Sequence, residues 1–218
     1  MTSPAIASAT AVLLTGAAVL LVYDLGHFST HMMLHIASMN IIAPSVAALI
    51  VARRPIGGTR PIWLWTATFL QIVLLWTWHS PAVHHLLLQS PAAGLTFHAA
   101  LLLAALFFWL SLLTTSAASR WQTIPALLLT GKLTCLLAAL LIFAPRTLYG
   151  FTGHLADAPG HFSLHYALED QHLAGLLMIT ACPLSYLVAA VIITVQLITR
   201  AEMSAAAPMP DGRLPIGR

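Results

Sequence analysis

Charge is what this chain has least of. Nine Lys or Arg and six Asp or Glu make up only 7% of 218 residues, where a soluble domain has about a quarter. With 59% hydrophobic residues and a mean hydropathy of +0.89, a soluble fold would expose apolar surface it has no polar residues to cover. The composition therefore indicates an integral membrane protein, almost wholly helical and in one domain. The basic residues are dispersed and no aromatic–basic patch exists, which excludes a nucleic-acid interface despite the net charge of +3. Cysteine is scarce as well. Cys135 and Cys182 lie in separate apolar stretches with no CxxC or other paired spacing, so they read as small buried hydrophobes, with a soft sulfur ligand as the alternative. A basic region and a small-residue cleavage site are missing from the Ala-rich N-terminus, so that segment is expected to remain as a membrane helix. No internal repeat stands out.

What is present is a set of long apolar runs. Six stretches, near 5–23, 28–51, 62–79, 95–116, 123–143 and 169–199, are each long enough to cross the hydrocarbon core as helices. The last is overlong. Pro183 is expected to kink it and its first turn to stand in the interface; Pro44 is expected to act similarly in the second span, and Pro61 and Pro125 suit helix starts. Arg53, Arg54, Arg60, Arg120 and Arg200 fall on one side of this arrangement, whereas Arg146 and the acids Asp24, Asp157, Glu169 and Asp170 fall on the other. The positive-inside rule then places both termini in the cytoplasm. Trp63, Trp65, Trp76, Trp78, Trp109 and Trp121 mostly lie near span ends, as interfacial aromatics do. The expected architecture is an all-α polytopic membrane helix bundle of about six transmembrane helices, comprising residues 1–202, with a disordered cytoplasmic tail over 203–218.

This topology puts all eleven histidines on the outer side. His27, His31 and His35 recur every four residues at the start of the second span, and Met39 extends the step. On a helix such a stripe winds only about 40° per repeat. It descends from the outer interface to roughly 18 Å depth at about 1.5 Å per residue. Met32 and Met33 flank it. Imidazole with thioether is a donor set for copper, Cu(I) especially, whereas magnesium or calcium would require carboxylates. His79 ends the third span at a matching level, and His98 stands in the first outer turn of the fourth. The stripe with His79 and His98 is thus the candidate ligand set, with Met32 beside it.

Other polar positions have blander explanations. His84 and His85 point about 100° apart on a short surface helix and are unlikely partners for one ion. His154, His161 and His165 fall in a Gly-containing loop. Glu169, Asp170, Gln171 and His172 open the sixth span, where a helix dipole favours carboxylates; alternatively, Asp170 accepts the free N–H of a ligating histidine. Ala174 and Gly175 allow close helix approach, with Met178 a turn further on. Lys132 lies inside the fifth span, where it must either snorkel or find a partner such as Gln71.

Taken in order, His31-Met32-x2-His35, Pro44, Trp76-x-Trp78-His79-x-Pro81, His98, Trp109 and Asp170-Gln171 through Gly175 to Met178 resemble the polytopic CtaG family of cytochrome c oxidase assembly factors. The resemblance covers about residues 30 to 180. Ala174, where a second glycine is expected, and His172 beside Gln171 depart from it. It implies a non-catalytic assembly factor for a haem–copper oxidase in a bacterial cytoplasmic membrane. Such a factor would partner oxidase subunits and a periplasmic copper donor within membrane lipid, and would serve a copper-insertion step. Under that reading His31, His35, His79, His98 and Met32 are the expected metal ligands, with Asp170, Gln171, His27, Met39, Met178 and His172 in supporting positions. Two other classes stay open: electron transfer by a b-type haem between facing histidines, and copper or proton transport.

Overall fold

The computed structural model describes residues 27–54, 56–149 and 160–206; the expected first span at 5–23 and the tail beyond 206 lie outside the described residues. Helix α1 (His27–Ala37) runs through a π turn (Ser38–Ile42) into α2 (Ala43–Arg53). Then come α3 (Pro61–Trp78), the short α4 (Pro81–Leu88), α5 (Pro91–Thr114), a 3₁₀ turn (Ala117–Gln122), α6 (Thr123–Phe143) and α7 (Gly160–Ala206). The protein is all-α, with no strand among the described residues. Within them, five stretches are long and apolar enough to cross a membrane: Phe28–Arg53, Pro61–Trp78, Pro91–Thr114, Ala117–Phe143 and His165–Ser204. They coincide with the last five spans expected from hydropathy, so the chain is a multi-pass membrane protein.

Proline sets several boundaries. Pro61, Pro81 and Pro91 each open a helix, where the missing N–H would have had no intrahelical partner and the fixed φ suits the first turn. Pro44 acts inside a continuous helix. The Ala43 N–H donates to the Ser38 carbonyl, and Pro44 has no N–H to offer. The Met39 carbonyl therefore loses both helical donors, and the Trp109 indole N–H of α5 donates to it at 3.0 Å. In an apolar medium a backbone carbonyl left without a donor is costly, so the π turn and the buried indole belong together. Pro183 lies within α7, which continues past it from Gly160 to Ala206.

The outward face is apolar. Phe69, Val73, Leu103, Leu136, Leu184 and Val191 are all more than half exposed, which suits contact with lipid tails. Hydroxyls are satisfied inside their own helices: Thr68 donates to the Leu64 carbonyl at 2.7 Å, Thr130 to Ala126 at 2.9 Å and Thr134 to Thr130 at 2.8 Å. Near mid-bundle the buried Gln71 amide donates to the Tyr186 hydroxyl at 2.9 Å. Gln71 thus faces Tyr186, not Lys132, whose side chain is exposed on α6.

Two of the tryptophans depart from the interfacial pattern. Trp63 and Trp121 are exposed as expected, but Trp78 and Trp109 are buried. A ring in the last turns of a span serves packing when a neighbouring helix covers it, and span position alone does not reveal that.

The two ends of the bundle differ in chemistry. At one end the Thr59 N–H donates to the Thr114 carbonyl at 2.7 Å and the Ser116 N–H to the Thr59 carbonyl at 3.2 Å. There Arg120 donates to Gln196 at 3.2 Å, gathering Arg53, Arg54, Arg60, Arg120 and Arg200 on that side. Histidines occupy the opposite end.

Helices α6 and α7 approach closely at Gly175. A Cβ there would stand 2.7 Å from Ile142 Cγ1 and 3.2 Å from both the Ala138 carbonyl oxygen and Leu141 Cβ. Gly175→Val is expected to push the two helices apart, with a cost of about 1–3 kcal/mol. Thermal unfolding in detergent should show a lowered midpoint, and an unchanged midpoint would contradict this account of the contact.

Candidate metal centre

At the histidine-bearing end, α1 and α5 present three imidazoles to one another. His31 and His35, four residues apart, share a face of α1, and His98 faces them from α5. His31 Nε2 lies 2.9 Å from His35 Nε2 and 3.1 Å from His98 Nε2, and the ligand atoms of all three lie within 4.8 Å of one another. His35 is buried, while His31 and His98 are half-buried. Trp78 stacks on His31 with centroids 5.0 Å apart and planes 18° apart.

Proton bookkeeping follows from the backbone. His98 Nδ1 lies 2.7 Å from the Gly94 carbonyl, which can only accept, so Nδ1 carries the proton and a neutral His98 directs a bare Nε2 lone pair into the cluster. With His31 Nε2 as the hub of both short contacts, a single N–H there serves both neighbours. A metal ion at the centre would replace that proton. Ligands about 2.0–2.1 Å from a shared ion sit roughly 3.3–3.6 Å apart, so the His31–His35 and His31–His98 pairs would need to spread by only a few tenths of an ångström.

His79 takes a different place from the one its depth suggested. Its ring lies 6.5 Å from that of His35, outside the close trio. His79 Nδ1 donates to the Leu75 carbonyl at 2.8 Å, leaving Nε2 buried without a partner. That ring lines a cavity of about 20 Å³ between α1, α3, α6 and α7. Met32, Met39 and Met178, all buried, line the same cavity together with His35. Met32 therefore shares the cavity with His35. Cys182 lines it too, a residue whose sequence context favoured packing, with a soft sulfur ligand as the alternative.

The acidic motif acts through the backbone. Asp170 Oδ2 accepts the Phe28 N–H at 2.8 Å and Oδ1 the Ser29 N–H at 3.0 Å, while the Ser29 hydroxyl donates to the Asp170 carbonyl at 3.0 Å. Among the described residues its carboxylate meets these N–H groups and no histidine ring, so it orients the ligand helix by capping its first turn from α7. Gln171 accepts the Leu148 N–H at 2.8 Å and donates to the Leu141 carbonyl at 3.1 Å, tying down the end of α6. His172 is half-buried on α7, with Nε2 unpartnered. The side chain of His27 and all of His154 lie outside the described residues.

The remaining histidines separate by environment. His84 is buried, its ring centroid 4.6 Å from that of Tyr149 and 5.5 Å from that of Trp78, whereas the adjacent His85 is exposed, as a 100° step requires. Tyr149 donates to the His79 carbonyl at 2.9 Å, and burial pushes its phenol above the ordinary range, which keeps it a donor. His161 and His165 belong to α7, not to a loop, because the helix starts at Gly160. An exposed His165–Glu169 pair at 3.1 Å supports that first part of the helix.

A family model described as cytochrome c oxidase caa3 assembly factor matches residues 5–200, and the chain belongs to this family. Neither a curated protein nor a solved structure matches it.

The capping contact carries its own test. Asp170→Ala strips acceptors from two backbone N–H groups, at a cost of about 1–3 kcal/mol. Amide exchange at Phe28 and Ser29 should accelerate, while Asp170→Asn, which keeps one side-chain oxygen, should fall between. Equal protection in all three proteins would mean that Asp170 does not hold the helix.

Proposed function

We propose that this assembly factor carries copper as cargo on His31, His35 and His98 and passes it to a haem–copper oxidase subunit, acting as a carrier and not as an enzyme. The observation that supports this most directly is the convergence of three imidazole nitrogens from two helices, two of the contacts being 2.9 and 3.1 Å. Nitrogen donors without a carboxylate suit copper better than magnesium or calcium. Retention and release are both served by the graded burial: His35 is enclosed, while His31 and His98 are partly open and allow ligands to be exchanged one at a time. The arginine-rich end faces the cytoplasm under the positive-inside rule. The trio then opens to the periplasmic side of a bacterial cytoplasmic membrane, where a donor protein delivers metal.

A b-type haem is less well accommodated. Its iron needs axial nitrogens on opposite sides of a macrocycle, but these rings touch one another and the adjoining cavity has about 20 Å³. Transport is less well supported as well, because the donor atoms end near Asn40 and Cys182. Among the described residues, below them stand the Gln71–Tyr186 pair, apolar side chains and threonines whose hydroxyls bond their own helices, not a continuous polar path.

His31→Ala and His98→Ala should each lower the copper bound per purified chain, and the copper content and activity of the oxidase in cells, without changing helix content or membrane insertion. Metal analysis of the purified proteins and of the oxidase provides the measurement. A fully metallated oxidase in cells carrying only the double variant would overturn the assignment.

A further inference from the structure

Beneath the imidazole trio, four of the eleven residues that line the small cavity carry sulfur. Met32 and Met39 enter it from α1 and the π turn, Met178 and Cys182 from α7, and His79 from the end of α3, with His35 shared between cavity and trio. We propose that this cavity is a second metal station, selective for a monovalent soft cation of the Cu(I) or Ag(I) class, with His79 Nε2, the Cys182 sulfur and the surrounding thioethers as donors. The proposal takes the identity of the cargo from the copper reading, but its residues, apart from His35, are different ones.

The lone pair of His79 is the first argument. The Leu75 carbonyl fixes its tautomer at 2.8 Å, so the opposite nitrogen is a bare acceptor, buried and without a partner. Packing does not call for such a group, since any apolar residue would fill the space without the penalty of an unmet acceptor. A cation in the cavity satisfies it. Methionine is a common filler of irregular gaps, and for that reason the thioethers alone would decide nothing; their meeting with an unsatisfied imidazole and a thiol is the informative feature.

Asn40 supplies the second argument. Its amide donates to Cys182 Sγ at 3.4 Å and to the Ile36 carbonyl at 3.2 Å, and its oxygen accepts from the Ser185 hydroxyl at 2.8 Å. The amide is thereby locked with its N–H toward sulfur, an arrangement that complements a thiolate.

Charge selects the ion. Among the described residues no carboxylate lines the cavity, so hard divalent cations find no oxygen anion there to balance them. One monovalent ion with one Cys182 thiolate, its proton released to solvent, is neutral overall, and a low-dielectric interior favours that state over a residual charge. Soft thiolate and thioether donors prefer Cu(I) over harder ions. His35, reaching both places, permits an ion to pass from the trio into the cavity without leaving coordination.

The full chain in detergent would be titrated anaerobically with Ag(I) and with Cu(I) against a competing chelator, with X-ray absorption reporting the donor atoms. Wild-type protein should hold one ion more than a protein with only the trio could. The His31→Ala/His98→Ala double variant should retain one ion with sulfur in its shell. Cys182→Ser and Met178→Leu should each weaken that retained ion about tenfold or more while leaving the nitrogen-bound ion in place. Met178→Leu conserves volume and keeps the fold intact, so its effect is read independently of any loss of stability. The proposal is overturned if the double variant binds no monovalent ion, if the retained ion has only nitrogen neighbours, or if both sulfur variants bind like their parent. Loss of the trio's ion alone would bear on the carrier reading and would leave the sulfur station standing.

Discussion

The donation from the Trp109 indole to the Met39 carbonyl is the contact on which the geometry of the centre depends. It arises from a chain of necessity: Pro44 cannot donate, the helix widens into a π turn, and a carbonyl in an apolar medium must be met from elsewhere. Because the donor stands on α5, that contact fixes α5 against α1 in register. His98 lies eleven residues up α5 from Trp109, and His31 and His35 lie eight and four residues up α1 from Met39. Asp170 pins the other end of α1 from α7. Held at two points, the helix that carries His31 and His35 has little freedom to slide past His98.

Close approach of the remaining helices is arranged by small residues and internal hydrogen bonds. Gly175 lets α7 lie against α6, and threonine hydroxyls turn back on their own helices so that none requires a partner across the lipid-facing surface. Two further polar pairs that reach between helices, half-buried Asn40 with Ser185 and buried Gln71 with Tyr186, each contribute a residue to the cavity lining. Polarity is spent near the site, and the periphery is left apolar.

Much of this was legible in the residues, and the failures have physical reasons. Apolar runs gave the five described spans because a bilayer imposes length. The four-residue histidine step placed His31 and His35 on one face because a helix has no other way to arrange it. Their meeting with His98 was a matter of depth and adjacency, and both held. His79 was at the expected level but its ring is turned by its own Leu75 carbonyl, a rotation that no spacing encodes. Asp170 was legible as important, yet its partners are backbone N–H groups 141 and 142 residues away, which side-chain identity cannot reveal. The start of α7 at Gly160 was hidden because its opening turns are too polar to register as a span.

Helix α7 has 47 residues, about 70 Å at the standard rise, against a hydrocarbon core of about 30 Å. Its apolar stretch, His165–Ser204, by itself exceeds that thickness, so α7 crosses tilted or runs on past the core. At the histidine end α7 begins at Gly160, ten residues before the Asp170 that caps α1, so its first turns run on past the start of the helix that carries His31 and His35.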